Sequence, residues 1–147
     1  MKRSTDGILT THTGSLPRPA DLDQMLFDRE EGKLADAAAF DARVRSAVAE
    51  TVARQLEAGV SVVGDGEMGK IGYSTYVKDR LTGFGGEATP LASQEMIEFP
   101  EVMQALMEQP AVTKMKLPAC DGPVRLRDEG AVGKDIGNLA ADRKSVV

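Results

Sequence analysis

Apolar positions in this chain recur with two different periods. Ile8-Leu9-Thr10-Thr11 is a short β-branched run after Gly7, and Val60-Ser61-Val62-Val63 is a second such run. Both read as buried strands. Between them Val44, Ala47, Val48, Val52 and Leu56 recur at steps of three and four, which is one apolar stripe of an amphipathic helix. Asp41 is the expected N-cap of that helix and Gly59 its stop, with Glu50 and Arg54 an exposed pair one turn apart. A shorter helix is expected from Asp21 through Leu22, Met25 and Leu26 to Gly32. Pro17 and Pro19 leave His12 to Pro19 as a rigid loop after the first strand. Parallel strands joined by a helix imply a sheet covered by helices.

Beyond the polar loop Gly64-Asp65-Gly66-Glu67-Met68-Gly69-Lys70 the pattern loosens. Ile71 to Thr89 carries Gly72, Gly83, Gly85 and Gly86 among Tyr73, Tyr76 and Phe84, and reads as irregular, an extended hairpin or lid. Pro100 and Pro110 bracket a helix whose Val102, Met103, Leu106 and Met107 are expected to face inward. Lys114-Met115-Lys116-Leu117 reads as a third strand, entering the turn-rich Pro118 to Pro123. Val132, Ile136, Leu139 and Ala140 outline a last helix, weakened by Gly130, Gly133 and Gly137. Residues 71–116 are thus expected to be an inserted hairpin and helix excursion within one domain.

Composition narrows the class of molecule. The chain has 147 residues, 41% hydrophobic and 28% charged, enough for one ordinary globular domain. A net charge of -5 argues against a nucleic-acid partner, which wants a basic face. The single cysteine, Cys120, excludes an internal disulfide and points to a reducing cytoplasm. Met1 to Asp6 holds no apolar run after its two basic residues, so no signal peptide is read, and no apolar stretch approaches the roughly 20 residues of a membrane span.

In parallel α/β proteins ligands sit at the C-terminal ends of the strands. Three polar loops follow the three expected strands. The first offers His12, the Gly14 and Ser15 amides, the Ser15 hydroxyl and Arg18; the second offers Asp65 and Glu67; the third offers Asp121. A free α-amino acid presents an ammonium, which wants a fixed carboxylate such as Glu67, and a carboxylate, which wants backbone N–H groups and a hydroxyl such as Gly14-Ser15 provides. Each residue has a plainer reading as well. Asp-Gly-Glu is a common solvated turn, a lone His12 is more often a structural residue than a metal ligand, and Arg18 reads equally as a solvated one. Tyr73, Tyr76 and Phe84 read as local packing or as a stacking surface, and Cys120 as a small strand-end residue. With one histidine and one cysteine, the chain cannot assemble a catalytic zinc site of the usual kind unaided.

Thr10-Thr11-His12-Thr13-Gly14-Ser15-Leu16-Pro17-Arg18-Pro19 resembles the opening strand and loop of the cobalamin-independent methionine synthase C-terminal domain, closest to its stand-alone bacterial and archaeal relatives. Gln55 to Glu67 looks like the second strand of that family with its Gly-Glu end. Pro118 to Val124 and Asp135 to Leu139 are similar to a later strand-loop segment and its following helix. The likeness runs from about Ile8 to Leu139.

That resemblance implies an α/β fold, a (β/α)₈ barrel of which this chain holds about the first three strand-helix units. It implies a methyltransferase passing a methyl group from 5-methyltetrahydrofolate, as its polyglutamate, to the thiol of homocysteine in methionine biosynthesis. Thr13, Gly14, Ser15, Glu67, His12 and Arg18 are then the expected substrate-binding residues. The partners implied are a small-molecule thiol and a folate methyl donor. The family's zinc activates the thiol, but its His, Cys and acidic ligands lie in later strands, so no metal ligand is assigned in this chain. Asp121 stands where the family often has Thr. The chain is expected to be a truncated piece, and an open part-barrel favours self-association. Coenzyme M-dependent epoxide transferases and uroporphyrinogen decarboxylase-like barrels are rival readings, as is an inactive fragment.

Overall fold

The computed structural model describes residues 4–5, 7–88, 93–108 and 117–141. Two compact units divide the chain, one formed by Met1–Lys70 with Glu129–Val147 and the other by Ile71–Asp128.

In the first unit, helix α1 spans Ala20–Glu30 and helix α2 spans Ala37–Glu57. The chain leaves Pro19 in an extended conformation, and its carbonyl accepts from the amides of Leu22 and Asp23, so α1 starts directly behind the second proline. Asp21 lies inside the first turn, and Asp21, Asp23 and the last-turn Arg29 all complement the helix dipole. Leu22 and Leu26, four apart, are 0% and 1% exposed. Phe40, Val44, Ala47, Val48 and Val52 of α2 join them with Met68 in one core, and α1 packs on α2. The Arg29 guanidinium lies 4.8 Å above the Phe40 ring.

The start of α2 differs from expectation. Asp36 is the N-cap, its Oδ1 accepting from the amides of Ala38 and Ala39 at 2.9 Å each. Ala37-Ala38-Ala39 are strong helix formers, so the helix extends a turn ahead of the first apolar-periodic residue. Asp41, inside the helix, instead pairs with Lys134 at 2.6 Å. Glu50 pairs with Arg43 at 3.3 Å and accepts from Ser46, not from Arg54. Arg43 in turn donates to both oxygens of Asp21, at 2.6 and 3.1 Å, tying α2 to α1. That hydrogen bonding holds the Asp21 carboxyl below its ordinary value and the Arg43 guanidinium above its own. The helix ends at Ala58 and Gly59, where the stop was expected. Helix α6, Gly130–Ala140, packs on α2. Its Val132 and Ile136, expected inside, are 49% and 62% exposed, while Ala131, Asp135, Asn138 and Leu139 are half-buried.

Of the two expected strands, one parallel bridge forms, Thr11 to Val62. Around it Ser61 and Val62 donate to the Thr10 carbonyl, and the Thr11 hydroxyl donates to Val62 O at 2.8 Å. The two segments are therefore parallel and joined through α2. Ile8 and Val62 are not buried, at 93% and 46% exposed.

The second unit begins with helix α3, Tyr73–Arg80, where the glycines predicted irregular chain. Arg80 stacks 4.4 Å from the Tyr76 ring centre. Strand β1, Gly86–Glu87, pairs antiparallel with strand β2, Pro118–Ala119. The ribbon continues through an antiparallel bridge of Leu81 with Leu126, and through Asp121 N donating to Gly83 O at 2.9 Å. A side chain at Gly83 would meet the Gly122 carbonyl at 2.5 Å, so only glycine allows this approach. Helices α4, Gln94–Glu98, and α5, Pro100–Met107, complete the unit. Pro100 starts α5 as expected, but the helix has no buried residue, and Val102 and Met107 are 53% and 48% exposed. Lys114 to Lys116 of the expected third strand lie outside the described residues. Among the described residues no helix is long and apolar enough to cross a membrane.

Candidate functional site

The loops after the two bridged segments interlock. Leu16 N donates to Gly66 O at 3.0 Å, which lays the first loop against the second. The Ser15 hydroxyl then donates to Glu67 Oε2 at 2.8 Å. Gly14, at φ +94°, forms the turn before it, and Thr13 and Gly14 are exposed beside Ser15.

The second loop owes its shape to sequence and to packing. Gly66 and Glu67 have φ of +63° and +59°, and Met68 N donates to Asp65 O at 3.4 Å. Positive φ at both central residues is the pattern of a type I′ turn, whose second central position prefers glycine. Here it holds a glutamate, which costs roughly 1–2 kcal/mol. Such an outlier is the kind of strain that clusters at binding sites. Asp65 Oδ1 supports it by accepting from Glu67 N at 3.0 Å. Gly66 cannot be enlarged, since a Cβ would lie 2.8 Å from Thr51 Cγ2. Met68, 0% exposed, anchors the turn in the core.

Three further residues hold this loop, and none was singled out from sequence as a site residue. Gln55 grips Gly64 from both sides, donating to its carbonyl at 2.8 Å and accepting from its amide at 3.0 Å. A glutamine on the buried stripe of α2 was the available signal. Lys70 places Nζ 3.9 Å from Glu67 Oε1, and Arg29 donates to Gly69 O at 3.4 Å. The Glu67 side chain is 24% exposed, so it is partly shielded and partly open to solvent.

Arg18 and His12 are placed differently from a ligand contact beside Glu67. The Arg18 guanidinium turns inward onto the carbonyls of Glu67 and Lys70. His12 is exposed and lines a cavity of about 240 Å³ with Leu16, Thr51, Arg54 and Val60, a lining that includes neither Ser15 nor Glu67. Asp121 belongs to the second unit, its carboxylate against Gly85. Cys120 is exposed there too, its thiol 3.7 Å from Gly122 O.

Among the described residues no three His, Cys, Asp or Glu side chains are grouped to hold a metal ion. The described residues therefore offer no set of side chains that fits a zinc ion by itself.

A carboxylate fixed next to a hydroxyl and a glycine turn can take the two charged ends of a free amino acid. In sequence the chain resembles a methyltransferase over half its length. It is 33% identical, across 75 residues, to the 5-methyltetrahydropteroyltriglutamate–homocysteine methyltransferase of Streptomyces avermitilis. The aligned stretch is 51% of this chain and 10% of that protein, so the chain spans about one tenth of the length of the curated relative it matches. No family model matches the chain, and no solved structure matches it.

Proposed function

We propose that the chain is the amino-acid-binding part of a methyltransferase of the cobalamin-independent methionine synthase type, built as a portion of a (β/α)₈ barrel. Homocysteine is its thiol acceptor and a 5-methyltetrahydrofolate its methyl donor. The observation that supports this reading is the 2.8 Å contact of Ser15 Oγ with Glu67 Oε2. The named activity of the Streptomyces relative supports it.

In the free chain Ser15 occupies one carboxylate oxygen and Lys70 lies near the other. An incoming ammonium takes the place of Lys70 as counter-charge on Glu67, and the ligand carboxylate takes the Gly14-Ser15 turn. The exposed Ile8 and Val62 make association of the chain with itself an expected outcome of the same reading.

Calorimetry of the chain with L-homocysteine and with N-acetyl-L-homocysteine tests the proposal. The free amino acid is expected to bind with Kd of about 1 mM or tighter. The acetylated one, lacking the ammonium, is expected not to bind. Equal affinity for both compounds, or none for the first, overturns the reading.

A further inference from the structure

Arg18 stands between Pro17 and Pro19, and both prolines restrict the backbone on either side of it. Its side chain is only 13% exposed and runs beneath the second loop. Nη2 donates to Lys70 O at 2.6 Å and Nε donates to Glu67 O at 3.3 Å. Nη1 lies 3.6 Å from Asp23 Oδ1, which orients the guanidinium from the α1 side. The two carbonyls it grips are those of the left-handed residue itself and of the residue three further on. Glu67 O also accepts from Lys70 N at 3.3 Å, so the guanidinium closes a short turn already drawn together.

We infer that Arg18 is a positioning residue, a brace that holds Glu67 in its left-handed conformation and so aims the carboxylate at Ser15. A glutamate at positive φ relaxes toward negative φ unless its surroundings over-determine it. Rotating that dihedral swings the side chain away from the first loop and breaks the Ser15 contact. A planar guanidinium with five donors in a fixed fork can span both carbonyls and Asp23 at once, whereas a lysine ammonium gathers its three donors on one atom and lacks that span. The function of Arg18 here is to fix the amino-acid site from below without touching the ligand. The ligand half of this inference rests on the amino-acid-binding reading; the conformational half stands on the geometry alone.

The test uses the whole chain labelled with ¹³C and ¹⁵N, as wild type, Arg18→Ala and Arg18→Lys. Glu67 Cα and Cβ shifts and its HN–Hα coupling report its backbone conformation, and the Met68 methyl reports the core. Wild type is expected to show the left-handed signature. Arg18→Ala is expected to lose it with the Met68 methyl unmoved, and free guanidinium at about 20 mM, far below denaturing concentrations, to restore it. Arg18→Lys is expected to fall between. Affinity for L-homocysteine is expected to drop about tenfold in Arg18→Ala and to recover with guanidinium, the scale of one charge-assisted hydrogen bond.

An Arg18→Ala chain that keeps both the signature and the affinity overturns the inference. If Arg18→Ala unfolds, Arg18→Lys decides, an unchanged Glu67 signature refuting the brace and a shifted one supporting it. Failure of wild type to bind L-homocysteine removes the amino-acid reading while the spectra still decide the role of Arg18.

Discussion

Replacing Ser15 and Glu67 by alanine, singly and together, measures whether the two loops meet through this one bond. A hydroxyl donating to a carboxylate at 2.8 Å is charge-assisted, a class contributing about 1.5–3 kcal/mol when shielded. Ser15 is exposed and the Glu67 side chain is 24% exposed, so water competes and the coupling falls to about 1 kcal/mol. Ser15→Ala is therefore expected to destabilise the first unit by about 1 kcal/mol. Glu67→Ala is expected to lose the same bond plus a few tenths for the 3.9 Å contact with Lys70. The left-handed strain stays, because alanine dislikes positive φ as much as glutamate does. The double variant should then equal Glu67→Ala alone. Urea unfolding followed on the Met68 methyl resonance, a fully buried probe within this unit, supplies the free energies. If the double variant loses the full sum of the two singles, the side chains do not interact in solution and the site geometry is wrong.

Gly66→Ala should destabilise the same unit by about 3 kcal/mol, combining a left-handed alanine with a Cβ 2.8 Å from Thr51 Cγ2, as the same urea titration would show. Asp36→Ala should lower stability by about 1 kcal/mol through loss of the α2 cap, whereas Asp41→Ala should leave the helix start intact, which amide exchange at Ala38 and Ala39 distinguishes. The Asp21 carboxyl is held below its ordinary value by Arg43, so the folded state binds that proton less readily than the unfolded one. Its stabilisation is complete above the unfolded value near 3.9 and disappears as pH falls through the lower folded value. Melting curves of wild type and Asp21→Asn should differ at about pH 6 and converge in strong acid; a constant gap would contradict the pairing.

The meeting of the two loops was legible because residue types carried it. A hydroxyl after one short β-branched run, and a carboxylate between glycines after the next, have few partners other than each other or a ligand. The α2 stripe was legible for the same reason that amphipathic helices are, and Gly59 ended it. What was not legible depended on competition. Arg43 has Asp21 within reach from a second helix, and so draws Glu50 into its own network and away from Arg54. The true cap, Asp36, precedes three alanines that carry no apolar period. Helix α3 was hidden because Gly72 and the glycines beyond Arg80 dominate its neighbourhood, although the eight residues between hold none. No pattern indicates that an arginine between prolines turns under a neighbouring turn to hold its carbonyls. The extended segments form a single bridge, and the barrel reading rests on the sequence resemblance that runs from about Ile8 to Leu139.

Titrating ¹⁵N-labelled chain with L-homocysteine, and following Gly14, Ser15 and Glu67 together, tests the proposed pocket most directly. The account predicts that these three amides move along one saturable curve, and that Glu67→Gln abolishes the movement at Gly14 as well. Shifts confined to one loop, or none at concentrations that saturate a millimolar site, would contradict it.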